Sequence, residues 1–135
     1  MQNALELLKK HFGYSEFHPM QENIINDIMA CRDVLVLMPT GSGKSLCYQL
    51  PAVMKNGVTV VISPLIALMK DQVDSLRSNG IGASFINSTL NAGEIEDVKI
   101  RFTEFRMLSP EFAEESKPVT PCSFHAANAF ATAMP

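Results

Sequence analysis

With 135 residues, 47% of them hydrophobic, the chain is long enough for one domain with a real core and no more. Its 14 acidic and 11 basic side chains leave a net charge of −3, which excludes a surface basic all round but not a local basic groove. No apolar run approaches the roughly 20 residues of a membrane span, and the first residues lack the layout of a secretory leader. Three widely spaced cysteines (Cys31, Cys47, Cys122) fit neither a disulfide framework nor a zinc site and point to a reducing cytosol.

Residues 3–12 read as a short helix carrying Leu5, Leu7, Leu8 and Phe12. Pro19 opens a second helix, over about 20–30, with Ile24, Ile25 and Ile28 on one face. Residues 34–38 read as a strand of the kind buried on both faces of a parallel sheet. The strand runs into a glycine-containing loop, then into a helix over 44–55 that Pro51 interrupts and Asn56-Gly57 ends. Residues 58–62 read as a second buried strand. Residues 65–78 form a helix with Leu68, Met69, Val73 and Leu76 inward, closed by Asn79-Gly80. A third strand covers 83–87, and Asn91 caps a helix from Ala92 to about Phe105.

This alternation implies an α/β fold with right-handed crossovers and a parallel sheet, ligands lying at the C-terminal strand ends. Thr40, Ser63 and Asn87 fall at such ends. From about residue 109 the character changes: the remainder holds four of the eight prolines, no glycine and an alanine-rich end. It reads as disordered or weakly helical. The expected division is a partial nucleotide-binding domain over 1–105 and a divergent tail over 106–135.

The loop Pro39-Thr40-Gly41-Ser42-Gly43-Lys44-Ser45 carries the chemistry. Glycine lets backbone N–H groups turn inward around a phosphate, and the following helix N-terminus adds about half a positive charge. Lys44 supplies a full charge for the β- and γ-phosphates, and the Ser45 hydroxyl is placed to hold Mg2+. The strict pattern has glycine where this chain has Met38. The strand before and the helix after still single out a nucleoside-triphosphate site over an incidental glycine-rich turn.

Four segments, in order, resemble the RecQ-type DNA helicases of superfamily two, the first about 100 residues of the chain carrying the likeness. Phe12-Gly13-Tyr14, Phe17, Pro19 and Gln21 resemble the motif that precedes the phosphate loop. Residues 37–51 resemble motif I, in which Met38 is normal, and residues 61–73 resemble motif Ia. Asn87-Ser88-Thr89 resembles a further turn. The resemblance implies a partial RecA-like domain, incomplete on its C-terminal side, that uses ATP and Mg2+ and acts on single-stranded or duplex DNA, with no membrane. It implies a cytoplasmic setting, at the nucleoid in a bacterium or in the nucleus of a eukaryote.

By that resemblance Gln21 reads the adenine edge and Tyr14 stacks on the base. An amide can pair bidentately with N6 and N7 of adenine; the plainer alternative for Gln21 is a solvated residue in a helix's first turn. His18 stands where relatives have Arg, so it can stack but lacks the charged planar fork. Ser63 and Pro64, with Asn87, Ser88 and Thr89, are assigned to the backbone of single-stranded DNA. From spacing alone, Ser63 and Asn87 are better read as helix caps, and Lys70 and Arg77 as solvated charges.

Hydrolysis needs a carboxylate pair at a second strand end, which relatives carry as an Asp-Glu-Ala-His box. No such string occurs in these 135 residues. Glu96-Asp97 falls in an expected helix, and Glu114-Glu115 follows only Phe112-Ala113. The expectation is therefore an N-terminal piece of a helicase whose tail resembles a reading-frame change, a gene remnant or a spliced terminus, able to bind ATP but not to turn it over. The alternatives are a non-catalytic nucleotide-binding module and a truncated product without function. Strand 34–38, lacking neighbours that later sequence would supply, is expected to show unpaired edges.

Overall fold

A computed structural model describes residues 2–39, 41–55, 57–107 and 126–127. Helix α1 spans Gln2–Leu7 and widens into a π turn over Leu8–Phe12, which Gly13 ends in the left-handed region at φ 75°. Helix α2, Gln21–Met29, buries Gln21, Ile24, Ile25 and Ile28, the spacing of one helical face. Helix α3, Leu46–Met54, buries Leu46, Cys47, Tyr48, Leu50 and Pro51.

These three helices make the core. Leu8, Ile25, Leu46 and Leu50 form one buried cluster; Ile24, Ile28 and Cys47 form another, with Val34, Val36 and Met38 laid against it. Helix α4 spans Ile66–Ser78 and buries Val73, while Leu68, Met69 and Leu76 are half-buried on the same side. Helix α5 spans Ala92–Met107. Asn91 caps it as expected: its Oδ1 accepts from the Glu94 N–H at 3.0 Å, and Glu94 Oε2 accepts from the Asn91 N–H at 2.8 Å.

The strands depart from expectation. Among the described residues the sheet is one parallel pair, β1 (Val61–Ile62) against β2 (Ala126–Ala127), with Val61 opposite Ala126 and Ile62 opposite Ala127. Among the described residues the larger parallel sheet implied by the alternation is not shown, and residues 34–38 and 83–87 carry no ladder. Their hydrophobic runs favour extended backbone, but a strand is defined by its partner, and these have none here. Nor are residues 34–38 buried on both faces. Val34, Val36 and Met38 pack on α2 and α3, whereas Leu35 and Leu37 are 90% and 78% exposed. That period-2 alternation is what an extended segment shows with only one of its faces covered. Most of the tail read as disordered lies outside the described residues; Ala126 and Ala127 within it supply β2.

Candidate functional site

Two loops meet over the N-terminus of α3. The first, after Gly13, delivers Tyr14 and His18 and leads into Gln21, the first residue of α2. The second is the glycine loop, with Gly41 at φ 83° and Gly43 at φ 78°. Between them lies a cleft of about 380 Å3 lined by Tyr14, His18, Gln21, Gly41, Gly43 and Ser45. Six residues from two separate sequence segments thus share one concavity.

Gln21 joins the two loops. It is only 1% exposed, so the reading of it as a solvated first-turn residue fails. Its Oε1 accepts from the His18 N–H at 2.9 Å and its Nε2 donates to the Gly43 carbonyl at 3.2 Å. A Cβ added at Gly43 would lie 2.4 Å from that Nε2. Any side chain here would force the Gln21 amide to shift, on top of the positive φ that itself favours glycine.

Within the glycine loop, the Pro39 carbonyl accepts from the Ser42 Oγ at 2.6 Å. The Lys44 ammonium donates to the Met38 carbonyl at 2.7 Å and to the Pro39 carbonyl at 3.3 Å. The charge is thus held beside the loop, next to the N-terminal end of α3. Thr40 lies outside the described residues. Ser45 is half-buried, and its Oγ accepts from Gln72 Nε2 at 3.4 Å; Gln72 Oε1 in turn accepts from the buried Tyr48 hydroxyl at 3.0 Å.

Sequence reading missed the far wall of the cleft. Gln49 comes from α3, and Ser75 and Asn79 come from the end of α4, which the His11 ring bridges by Nδ1 to the Asn79 carbonyl at 3.1 Å. The available signal was a polar residue, Gln72, set among the apolar positions Met69, Val73 and Leu76 of one helix face.

The other predicted group stands apart: none of Ser63, Pro64, Asn87, Ser88 and Thr89 lines the cleft. Ser63 Oγ accepts from the Leu65 N–H at 3.3 Å, and Asn87 Oδ1 accepts from both the N–H (2.9 Å) and the Oγ1 (2.7 Å) of Thr89. Neither residue is a helix N-cap; Leu65 and Asn91 hold those places for α4 and α5. Both make local turns instead, the other habit of Ser and Asn side chains. Arg77 is likewise more than a solvated charge, since it donates to the Ala83 carbonyl at 2.9 Å. Burial pushes the Cys47 thiol up from its ordinary range, outweighing a backbone hydrogen bond that lowers it. Among the described residues no group of three His, Cys, Asp or Glu gathers to hold a metal, and no helix is long and apolar enough to cross a membrane.

Residues 18–110 match the DEAD/DEAH box helicase family. The chain is 53% identical over 96 residues to the ATP-dependent DNA helicase RecQ of Haemophilus influenzae, a match covering 71% of the chain and 16% of that protein. It is 44% identical over 126 residues to the RecQ protein of Pasteurella multocida, covering 92% of the chain and 20% of the relative. The RecQ protein of Bacillus subtilis is 50% identical over 96 residues, covering 70% and 16%. The chain thus matches between 16% and 20% of the length of these relatives.

Proposed function

The chain belongs to the DEAD/DEAH box helicase family, with RecQ proteins among its relatives, and from that premise we propose that it is the ATP-binding part of a RecQ-type motor domain. The family carries a RecA-like α/β fold. In the finer form of this reading, residues 34–38, 58–62 and 83–87 become parallel strands of one sheet once further strands lie beside them.

One observation carries the proposal: Gln21 and the glycine loop, 22 positions apart, are hydrogen-bonded across a cleft of the size that small-ligand pockets take. The donor set fits Mg2+–ATP. Turned glycines at 41 and 43 offer backbone N–H groups, Lys44 offers an ammonium to the phosphates, and Ser45 offers a hydroxyl oxygen to the metal. The bound metal would neutralise phosphate charge. Tyr14, exposed at the mouth, and His18 are the rings available to cover the base. Gln21 uses one amide hydrogen and one lone pair internally, leaving one of each for an adenine edge.

In the same reading, Ser63, Pro64, Asn87, Ser88 and Thr89 contact the backbone of single-stranded DNA, and the complete protein couples ATP hydrolysis to 3'-5' unwinding in the cytoplasm or nucleus. Their turn-making leaves hydroxyl and backbone groups at the surface, suited to phosphate contact without base readout. Because these 135 residues contain no Asp-Glu-Ala-His string, the chain by itself is expected to bind without turnover.

Calorimetric titration of the chain with ATP and magnesium tests the assignment. The proposal predicts saturable binding that Lys44→Ala weakens by roughly 10- to 150-fold, the range of one hydrogen bond to a charged group. Equal affinity in the variant, or no heat from folded protein, would refute it.

A further inference from the structure

We propose that Gln72 is a positioning residue that orients the Ser45 hydroxyl toward the metal of the bound nucleotide, and that Tyr48 sets the direction in which it does so. The inference deepens the reading above, resting on Ser45 as the metal-facing oxygen. The hydrogen bonds run in one direction. The Tyr48 hydroxyl donates to Gln72 Oε1 at 3.0 Å, and in this arrangement Nε2, not the oxygen, faces Ser45. Nε2 then donates to Ser45 Oγ at 3.4 Å.

An accepted hydrogen bond has two effects on that hydroxyl. It ties down the oxygen, and it turns the serine's own proton and remaining lone pair elsewhere. A metal ligand must present a lone pair, not a proton, so a neighbour that donates is the useful kind. Were the amide reversed, Gln72 would accept the proton of Ser45 and the hydroxyl would present differently. Tyr48 is 7% exposed and fixed in the core of α3, so its hydroxyl is a rigid reference for the amide.

Gln72 belongs to α4 and Ser45 precedes α3, so this bond, with that from Tyr48, ties α4 to the start of α3. Gln72, Ser75 and Asn79 share one face of α4, and the latter two line the cleft. One polar stripe of α4 thus supplies both a hydrogen bond to Ser45, from Gln72, and two residues of the cleft lining, Ser75 and Asn79.

The test is the magnesium dependence of nucleotide affinity, read with a fluorescent ATP analogue in EDTA and in millimolar Mg2+. In the unaltered chain Mg2+ strengthens binding, and Ser45→Ala removes that gain. Gln72→Ala is expected to cut the gain by roughly three- to tenfold, the span of one hydrogen bond, while affinity in EDTA changes less than twofold. Tyr48→Phe, which keeps the core packed, is expected to cut it by about half as much on a logarithmic scale. In a Ser45→Ala background, Gln72→Ala should add nothing, as coupled partners require.

A merely structural role would lower affinity alike with and without Mg2+, or add to Ser45→Ala; either result overturns the inference. So does an unchanged magnesium gain in both Gln72→Ala and Tyr48→Phe. If the unaltered chain binds no nucleotide, or Ser45→Ala leaves the gain intact, the reading of the site itself falls. A surviving Ser45 effect beside a null Gln72 effect sinks only the positioning role.

Discussion

Gly43 answers to two demands at once, a positive φ and an amide nitrogen 2.4 Å from where a Cβ would sit. Gly41 answers only to the first, since a Cβ there meets nothing within 4 Å. Gly41→Ala should therefore cost only the left-handed backbone, about 1–2 kcal/mol. Gly43→Ala should cost that plus the loss of the buried Gln21 amide's partners, about 2–5 kcal/mol in all. Urea unfolding of the two variants checks the order, and adding Gln21→Ala to Gly43→Ala should recover the steric part without restoring nucleotide affinity. Cysteine chemistry gives a second contrast at this scale. Cys31 is exposed and Cys47 buried, so a thiol reagent should modify Cys31 in the folded chain and spare Cys47. Because burial raises the Cys47 thiol, folding favours the protonated form. That contribution is complete at neutral pH and is lost as pH rises past about 9, where the unfolded chain's thiol ionises. A Cys47→Ala variant should flatten that alkaline loss.

At the scale of the element, helices were more legible than strands, of which β1 (Val61–Ile62) falls inside the expected run 58–62. Helix α2 follows from Ile24, Ile25 and Ile28, and α5 from Asn91 with Glu94 three residues on, because caps and helical faces are written within a few residues of each other. Asn91→Ala should cost about 0.5–2 kcal/mol, seen as faster amide exchange in the first turn of α5 with the α2–α3 core unchanged. Strands depend on residues far away in sequence. The period-2 pattern of residues 34–38 is real, with Val34, Val36 and Met38 on the helices, yet nothing in that pentapeptide says whether Leu35 and Leu37 find a cover. The site divided in the same way. The glycine loop was readable residue by residue, while Gln72 and the α4 wall needed the fold to bring them to Ser45. Local turn bonds at Ser63 and Asn87 were mistaken for caps because the same side-chain oxygens serve both.

At the scale of the whole molecule, several apolar side chains on extended segments are exposed among the described residues. Leu35, Leu37, Val58, Val60 and Ile62 are all exposed, a run of apolar side chains on extended backbone that favours association. Replacing Leu35 and Leu37 together with threonine should raise the concentration at which light scattering appears. Unfolding free energy should move by only about 0.5 kcal/mol, as for other exposed positions. Unchanged scattering would mean that this face is not the sticky one.

The cleft between the Tyr14–Gln21 segment and the glycine loop as an adenine-nucleotide pocket is tested most directly by photolabelling with 8-azido-ATP and mapping the adduct. Trypsin releases residues 11–32 as one peptide, bounded by Lys10 and Arg32, containing Tyr14, His18 and Gln21. The label should fall on that peptide, be competed by ATP far better than by GTP, and disappear in Lys44→Ala. Label found only elsewhere in the chain, or equal competition by the two nucleotides, would contradict it.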